Sequence, residues 1–341
     1  MTASTSVFIT GAAGFIATHI VVQLLQKGYK VVGTVRSYDK GEELKKNLKS
    51  HNFQYEIVPD IVPENAFDEA LSRHPEVTVI LHTASPFHFK TTDPENDLII
   101  PAINGTLNAL NSIHKNAPQV KKVVITSSYA AVCASHMEID PNCLITEQSW
   151  NDITREEAQK DPVSGYRGSK TFAEKAAWEF MESKNPSFSL TSVNPGFVFG
   201  PQAFTSAVKD ELNTSCELIN KVLKLGKDDE LPPSKGTFID VRDVAKAHII
   251  SFERETLVNQ RLLMTSGRFA AQDVLDILNA TFPQLSERLP VGEVGTGPSI
   301  TSKLARIDNT KTMELLEFPF ISLRESVIDT VGQILDAQKS Q

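Results

Sequence analysis

A glycine-rich turn lies between the first strand pattern and the first helix pattern of the chain. Gly11, Gly14 and Ala17 follow one another at intervals of three residues. Glycine permits backbone angles that other residues resist, and the small Ala17 lets the helix approach the sheet. Amides at the start of such a helix can hold a pyrophosphate. The pattern predicts a dinucleotide site that is formed by Gly11, Ala12, Ala13, Gly14, Phe15 and Ile16.

Short β-branched runs alternate with longer amphipathic stretches through the first half of the chain. The alternation predicts strands at residues 6–10, 30–35, 55–58, 78–82, 122–127 and 190–194. It predicts helices at residues 15–26, 39–48, 64–71, 98–113 and 165–182. Parallel strands joined by crossover helices form a sheet that is covered on both faces. We therefore predict an α/β fold of the Rossmann type, with a doubly wound parallel sheet.

Proline- and glycine-rich segments interrupt this rhythm after residue 194. Helical patterns lie between them, which predicts a smaller, mostly C-terminal lobe for substrate binding. Residues 237–244 are typical of a strand that enters a helix capped by Asp240. The predicted division gives residues 1–194 and 237–264 to a nucleotide-binding domain, and mainly residues 195–236 and 265–341 to the substrate lobe.

Basic residues follow the second predicted strand, where the loop would meet the adenosine ribose of a bound dinucleotide. A carboxylate there accepts a hydrogen bond from a free 2′-hydroxyl, whereas a guanidinium pairs with a 2′-phosphate. Arg36 directly follows the strand, and Lys40 lies one helical turn beyond. This order predicts NADP(H) as the cofactor; the alternative makes Asp39 the ribose acceptor and Arg36 a solvated loop charge. Asp60 and Ile61, after the third strand, are predicted to meet the adenine.

Tyr166 and Lys170 are four residues apart in a predicted helix, so their side chains share one face. Tyrosine has a pKa of about 10, and a nearby positive charge stabilises its phenolate. Lowering that pKa by roughly three units requires that the phenolate be stabilised by about 4 kcal/mol relative to the phenol. We expect this only when the positive charge of a cofactor ring adds to that of the lysine. An isolated pair of this kind would be interpreted as surface residues. The glycine turn upstream favours a catalytic pair instead.

Ser128 lies at the end of the fifth predicted strand, and such strand ends face the ligand crevice. Serines there commonly form turns, but Ser128 could also hold a carbonyl oxygen beside the Tyr166 phenol. We predict that a small-molecule carbonyl accepts a hydride from reduced nicotinamide and a proton from Tyr166, while Lys170 holds the phenolate and the cofactor ribose. Asn104 would either support a water that resupplies the proton or brace its own helix.

These residues, in this order, resemble the extended short-chain dehydrogenase/reductase family and, within it, the NADPH-dependent carbonyl reductases of fungi. The likeness covers nearly the whole chain, through residues 82–86, 126–132, 194–201, 213–218 and 239–245. It implies reduction of aldehydes and ketones, including keto-aldehydes, to chiral alcohols. The resemblance also implies that Val198 and Ser215 contact the cofactor, and that Phe87, Tyr129 and Phe197 line the substrate cleft.

Two other functions share these features. A sugar-nucleotide epimerase or dehydratase uses the same tyrosine and lysine chemistry but keeps its cofactor bound through the cycle. A cofactor-sensing protein would bind NADP(H) without turnover. The complete set of Ser128, Tyr166 and Lys170 favours a reductase over both.

Charge and cysteine content argue against several other classes. The formal net charge is -8 and no long basic run occurs, so we expect no nucleic-acid partner. The 3 cysteines are far apart and the histidines lack ligand spacing, which predicts no metal site and suits a reducing compartment. No apolar run reaches the roughly twenty residues that span a bilayer, and no export-signal pattern begins the chain. We expect a cytoplasmic protein without a membrane partner, as a monomer or weak homodimer.

Overall fold

A computed structural model describes residues 5–85 and 90–339 of the 341-residue chain. In chain order the strands are β1 (Ser6–Thr10), β2 (Lys30–Val35), β3 (Phe53–Ile57), β4 (Val77–His82), β5 (Lys122–Thr126), β6 (Leu144–Ile145), β7 (Ser189–Pro195), β8 (Phe197–Phe199), β9 (Lys235–Asp240), β10 (Arg261–Met264), β11 (Gly267–Ala270) and β12 (Arg306–Ile307). The α-helices are α1 (Phe15–Gln26), α2 (Tyr38–Leu48), α3 (Asp68–Ser72), α4 (Ile100–Asn116), α5 (Ser135–Glu138), α6 (Arg155–Ala158), α7 (Pro162–Lys184), α8 (Thr214–Leu223), α9 (Val241–Glu253), α10 (Ala271–Thr281), α11 (Gly297–Thr301), α12 (Thr310–Leu316) and α13 (Leu323–Lys339).

Seven parallel strands form the central sheet, in the order β10-β7-β5-β4-β1-β2-β3. The chain builds outward from β1 to β3 and then returns to place β4 on the other side of β1. A reversal of this kind leaves a crevice at the carboxyl ends of the strands, where ligands of such sheets bind. The predicted Rossmann-type sheet is therefore confirmed.

Alternating side chains of the strands bury two separate cores, because successive residues of a strand point to opposite faces. Val7 and Ile9 pack toward α1, α2 and α9, whereas Phe8 packs toward α3, α4 and α7. The side chains of these three residues are almost completely buried. Each face of the sheet thus holds its helices by apolar contact, and this leaves the strand ends free to carry polar residues.

Four of the five predicted helices differ in extent from the observed ones; α2 begins one residue earlier, α7 is longer at both ends, and the other two differ more. The helix predicted at residues 64–71 begins only at Asp68, because Asn65 adopts a left-handed backbone with φ 63°. The helix predicted at residues 98–113 runs to Asn116 and is preceded by a π-helical turn at Glu95–Ile99. The apolar repeat located both helices but not their ends.

A smaller sheet of three strands, β11-β9-β8, is covered by α8, α10 and α13. The chain crosses between the two sheets at Asp240: β9 belongs to the smaller sheet, whereas α9 packs against α1. Asp240 caps α9 as predicted, since its Oδ1 accepts a hydrogen bond from the Arg242 amide at 2.8 Å. The exact division of the chain into two lobes remains a prediction.

In the part of the chain that the structure describes, no helix has the length and apolar character needed to cross a membrane.

Gly33 provides a test of how tightly the glycine turn packs on β2. A Cβ atom at Gly33 would lie 2.6 Å from Ala12 Cβ, so a valine must displace the turn. We expect Gly33→Val to lower the free energy of unfolding by about 1–3 kcal/mol in urea titrations. The control is Gly332→Ala in α13, where no neighbouring atom lies within 4 Å and alanine should add about 0.5–1 kcal/mol. Equal stability of the valine variant and the wild type would contradict this packing.

Candidate active site

A cavity of about 460 Å³ opens at the carboxyl ends of β1, β5 and β7. It extends from the glycine turn to the smaller sheet, so residues next to both sheets contribute to its walls. The predicted site residues that line it are Gly11, Gly14, Phe15, Ile16, Ser128, Tyr129, Tyr166, Lys170, Phe197, Val198 and Ser215. The structure therefore brings the three predicted catalytic residues and the glycine turn into one cavity.

The remaining predicted residues lie elsewhere. Ala12 is buried, while Ala13 and Lys40 border a second cavity of about 440 Å³ between α2 and residues 202–213. Arg36 and Asp60 are exposed beyond the ends of β2 and β3. Ile61 is half-buried and lies over Gly105 of α4. Phe87 lies outside the described residues.

The glycine turn has the shape that an anion requires. Gly11 has φ +68°, and a side chain on it would lie 3.1 Å from Ala84 Cβ. Its amide donates to Thr34 Oγ1 at 3.0 Å, which fixes the turn to β2. Gly14 is the N-cap of α1 and has no side chain to accept from the first amides of the helix. Those amides are consequently suited to bind a phosphate group.

Tyr166 and Ser128 are joined by a hydrogen bond across the cavity. Tyr166 Oη donates to Ser128 Oγ at 3.2 Å, and the same Oγ accepts from the Ala130 amide at 3.1 Å. Both side chains are held by regular structure, because Ser128 follows β5 and Tyr166 lies in the second turn of α7. That helix begins at Pro162 and is capped by Asp161, whose carboxylate accepts from two amides. A carbonyl oxygen near both hydroxyls would receive two hydrogen bonds.

The surroundings of Tyr166 stabilise the neutral phenol over the phenolate. Burial raises the pKa of Tyr166, while the hydrogen bond to Ser128 and the charge of Arg167 act in the opposite direction. Lys170 Nζ lies 6.0 Å from the centre of the tyrosine ring, and burial lowers the pKa of this lysine to about 8. Burial is the largest of these effects, so the phenol stays neutral here. That a cationic cofactor ring adds its charge to that of Lys170 stays a prediction.

Glu174 is a buried residue of the site that the sequence did not single out. Its carboxylate is almost fully buried and lies on α7, four residues after Lys170. Oε2 accepts from Ser127 Oγ at 2.5 Å and from Asn194 Nδ2 at 2.6 Å. Oε1 accepts from Arg261 Nε at 2.7 Å, and also from the side chains of Ser192 and Trp178. The sequence did contain a signal for Glu174, because this charged residue follows Tyr166 and Lys170 at the same spacing of four and therefore shares their face of α7.

Aromatic and charged residues share the outer wall of the cavity. Phe197 meets Phe269 edge to face with ring centres 5.6 Å apart, whereas Phe199 is fully buried in the smaller sheet. Arg167 forms an ion pair with Glu138 and also donates to a backbone carbonyl oxygen. Phe197 and Tyr129 border the cavity as expected from the resemblance, Phe199 belongs to the core, and the charged pair was not predicted.

The chain belongs to the NAD dependent epimerase/dehydratase family, whose model matches residues 7–262. This family holds the extended short-chain dehydrogenase/reductases, so the resemblance found in the sequence is confirmed.

Individual relatives extend the similarity to almost the full length. The NADPH-dependent methylglyoxal reductase of Saccharomyces cerevisiae is 50% identical over 335 residues, which cover 97% of this chain and 98% of the relative. The crystal structure of the Candida albicans Gre2 protein with NADPH superposes with a TM-score of 0.96 at 52% identity, covering 98% of this chain and 99% of that one. Yeast methylglyoxal/isovaleraldehyde reductase with NADPH gives a TM-score of 0.96 at 48% identity, covering 99% and 100%.

Replacing the Glu174 carboxylate tests how much the site depends on it. Glu174→Gln leaves the Arg261 guanidinium buried without its charged partner, so we expect the free energy of unfolding to fall by about 3 kcal/mol. Glu179→Gln, an exposed position on the same helix, should change it by less than about 0.5 kcal/mol. Urea unfolding followed by circular dichroism measures both variants. Similar stability for the two would show that the buried network contributes little.

Proposed function

We propose that this chain is an NADPH-dependent reductase of aldehydes and ketones, including keto-aldehydes such as methylglyoxal. The observation that carries the proposal is the hydrogen bond of 3.2 Å between Tyr166 and Ser128 in the cavity that also contains Lys170 and the glycine turn. The full-length similarity to NADPH-dependent methylglyoxal reductase supports the same substrate class.

The described residues fit a dinucleotide in two places. Gly11 and Gly14 form a turn that leads into α1, and the first amides of α1 lack a side-chain cap, as a pyrophosphate requires. Arg36, just before α2, and Lys40, in its first turn, are two exposed cations, which suit a 2′-phosphate better than a free hydroxyl. Lys40 already pairs with Glu43 at 2.6 Å, so Arg36 is the less engaged of the two cations toward that phosphate. Val198 and Ser215 would contact the nicotinamide half, and Asp60 and Ile61 the adenine.

Three side chains carry the chemistry in this proposal. When bound, NADPH supplies the hydride that reduces the carbonyl carbon. Ser128 and Tyr166 donate hydrogen bonds to the carbonyl oxygen, on which negative charge develops. The Tyr166 O–H bond then breaks and its proton moves to that oxygen, which gives the alcohol. Lys170 stabilises the resulting phenolate by its positive charge.

The walls of the cavity suggest which carbonyls are preferred. Tyr129 and Phe197 supply aromatic surface, which favours apolar or aromatic groups beside the carbonyl over sugar nucleotides. Arg167 and Glu138 border the same cavity, and their opposite charges neutralise each other in an ion pair. Phe87, which falls outside the described residues, is proposed as a further wall residue from the family resemblance alone.

Removing the phenolic hydroxyl tests the proton donor. We expect Tyr166→Phe to lower kcat for methylglyoxal by about 10²–10⁴-fold, while the Kd for NADPH changes little. Tyr29→Phe is the control, because Tyr29 donates to Glu253 at 2.6 Å and does not border the cavity. Loss of absorbance at the reduced-nicotinamide wavelength gives the rate. Near-normal turnover by the Tyr166 variant would reject its role.

The same assay separates the reductase from its two alternatives. An epimerase or dehydratase would turn over without net consumption of NADPH, and a cofactor-sensing protein would bind NADPH without any turnover. Absence of NADPH consumption across a panel of simple aldehydes and ketones would therefore contradict the proposed function.

Arg36 provides a separate test of cofactor choice. Loss of a charge-assisted bond to the 2′-phosphate should weaken NADPH by roughly 10–100-fold in Arg36→Ala and leave NADH nearly unchanged. Arg73→Ala serves as the control, because Arg73 is an exposed arginine engaged with Glu56 at 2.8 Å. Fluorescence titration with each nucleotide measures the affinities. Equal losses for NADPH and NADH would exclude phosphate recognition by Arg36.

We further propose a cytoplasmic location and a monomeric or weakly dimeric state. The free thiols of Cys133, Cys143 and Cys216 support a reducing compartment. Fluorescence microscopy of a tagged chain and sedimentation velocity would test location and assembly; a secreted protein or a tight tetramer would contradict them.

A further inference from the structure

A third and much smaller cavity lies beside Lys170. It measures about 20 Å³, and its lining includes His82, Thr106, Ser127, Lys170, Ala173 and Glu174. A single water molecule needs about 10–15 Å³ by this kind of measure, so the cavity has room for one. Thr106 is the residue of α4 in this lining. Asn104, for which the sequence analysis considered a role in holding a water, is not among the described residues that line the cavity.

His82 points an unsatisfied nitrogen at this region. The side chain is 5% exposed, and its Nε2 has no hydrogen-bond partner among residues 5–85 and 90–339. A buried polar atom without a partner is costly in a folded protein, and ordered water commonly satisfies it.

The other nitrogen of His82 fixes its tautomer. Nδ1 lies 2.9 Å from Thr10 Oγ1, which also accepts from the amides of Thr83 at 3.1 Å and Ala84 at 3.0 Å. A hydroxyl oxygen has two lone pairs and one hydrogen, so the two amides occupy the lone pairs and Thr10 must donate to His82. Nδ1 is then the acceptor, and Nε2 carries the hydrogen.

Two hydrogen-bond donors consequently border the cavity, because the Lys170 ammonium also has only donors. Neither can bond to the other, whereas a group with two acceptor lone pairs could accept a hydrogen bond from both. Burial and the charge of Lys170 together lower the pKa of His82 to about 4, which keeps the imidazole neutral. A water oxygen satisfies both donors, and its own hydrogens have hydroxyl acceptors at the same cavity on Thr106 and on Ser127, whose Oγ donates to Glu174 and keeps its lone pairs.

We propose that this cavity binds one water molecule, which accepts hydrogen bonds from His82 Nε2 and from the Lys170 ammonium. His82 is therefore a positioning residue that acts on the reaction through Lys170. The inference rests on the proposed function, in which Lys170 must be charged to stabilise the Tyr166 phenolate. The water stabilises the charged form of Lys170, because its oxygen accepts a stronger hydrogen bond from the ammonium than from the neutral amine. It therefore raises the pKa of Lys170.

Few other ionisable groups face Lys170 among the described residues. β4 contributes His82, and α7 itself contributes Tyr166, Arg167 and Glu174. Glu138, which borders the larger cavity, is paired with Arg167. Thr106 of α4 and the hydroxyls at the end of β5 do not titrate. Loss of the water should accordingly lower the pKa of Lys170.

A crystal structure of the NADPH-bound protein tests the site without any variant. We expect an ordered water within about 3.2 Å of both His82 Nε2 and Lys170 Nζ. If well-ordered waters are seen elsewhere in the interior but none bridges these nitrogens, the proposal is overturned.

Two substitutions at His82 separate positioning from packing. Asparagine places an amide where Nδ1 stands and keeps the bond to Thr10, whereas glutamine reaches the position of Nε2 and keeps a donor to the water. We expect His82→Asn to shift the alkaline limb of the kcat profile down by about one pH unit, and His82→Gln to restore it to within about 0.3. NADPH affinity, which reports an intact glycine turn, should stay within about threefold in both variants.

The outcomes distinguish this inference from the proposed function. Wild-type reduction of methylglyoxal with NADPH tests the function itself, whatever His82 does. Alkaline limbs that coincide in wild type and His82→Asn would overturn the water site, and so would equal shifts in the two variants. A third variant, Ala173→Val, fills the cavity while leaving His82 and Lys170 unchanged, and it should reproduce the shift of His82→Asn.

Discussion

The buried carboxylate of Glu174 fixes the helix that carries Tyr166 and Lys170 to the ends of three parallel strands. Its partners are Ser127 after β5, Asn194 on β7 and Arg261 on β10. Burying a carboxylate is expensive, and only a full set of donors with a buried cation offsets the lost hydration. Because hydride and proton transfer depend on separations of a few tenths of an ångström, a polar network of this kind positions the site in a way that apolar packing does not.

The cavity lies between the large sheet and the smaller sheet, and a second charged group connects the elements of the two sheets. Asp240 ends a strand of the smaller sheet, caps α9 and binds the Arg242 guanidinium, which reaches Asp329 of α13 at 2.6 Å. Phe197 extends from the smaller sheet over a cavity whose floor belongs to the larger one. The two sheets contribute different parts of the site. The strand ends of the large sheet hold the hydroxyls and the glycine turn, and the small sheet contributes the wall that would contact the substrate.

Much of this architecture could be predicted from local pattern. The strands 6–10 and 30–35 and the turn at Gly11 were located correctly, because strand periodicity and the backbone freedom of glycine act over a few residues. The shared face of Tyr166 and Lys170 follows from helical spacing alone. Helix ends were less predictable, since the apolar repeat does not show where the backbone turns left-handed, as at Asn65, or forms a π-helical turn, as at Glu95–Ile99.

The sequence by itself determined the fold class, the family and the residues able to donate a proton to a carbonyl oxygen, since each depends on residue type at short spacing. Only the tertiary structure decided which buried polar groups support them. Glu174 and Arg261 are 87 residues apart, and His82 and Lys170 lie on different elements on opposite sides of a cavity. Long-range contacts of this kind are absent from any local pattern, because they form only when the strands are ordered in the sheet and the helices pack on it.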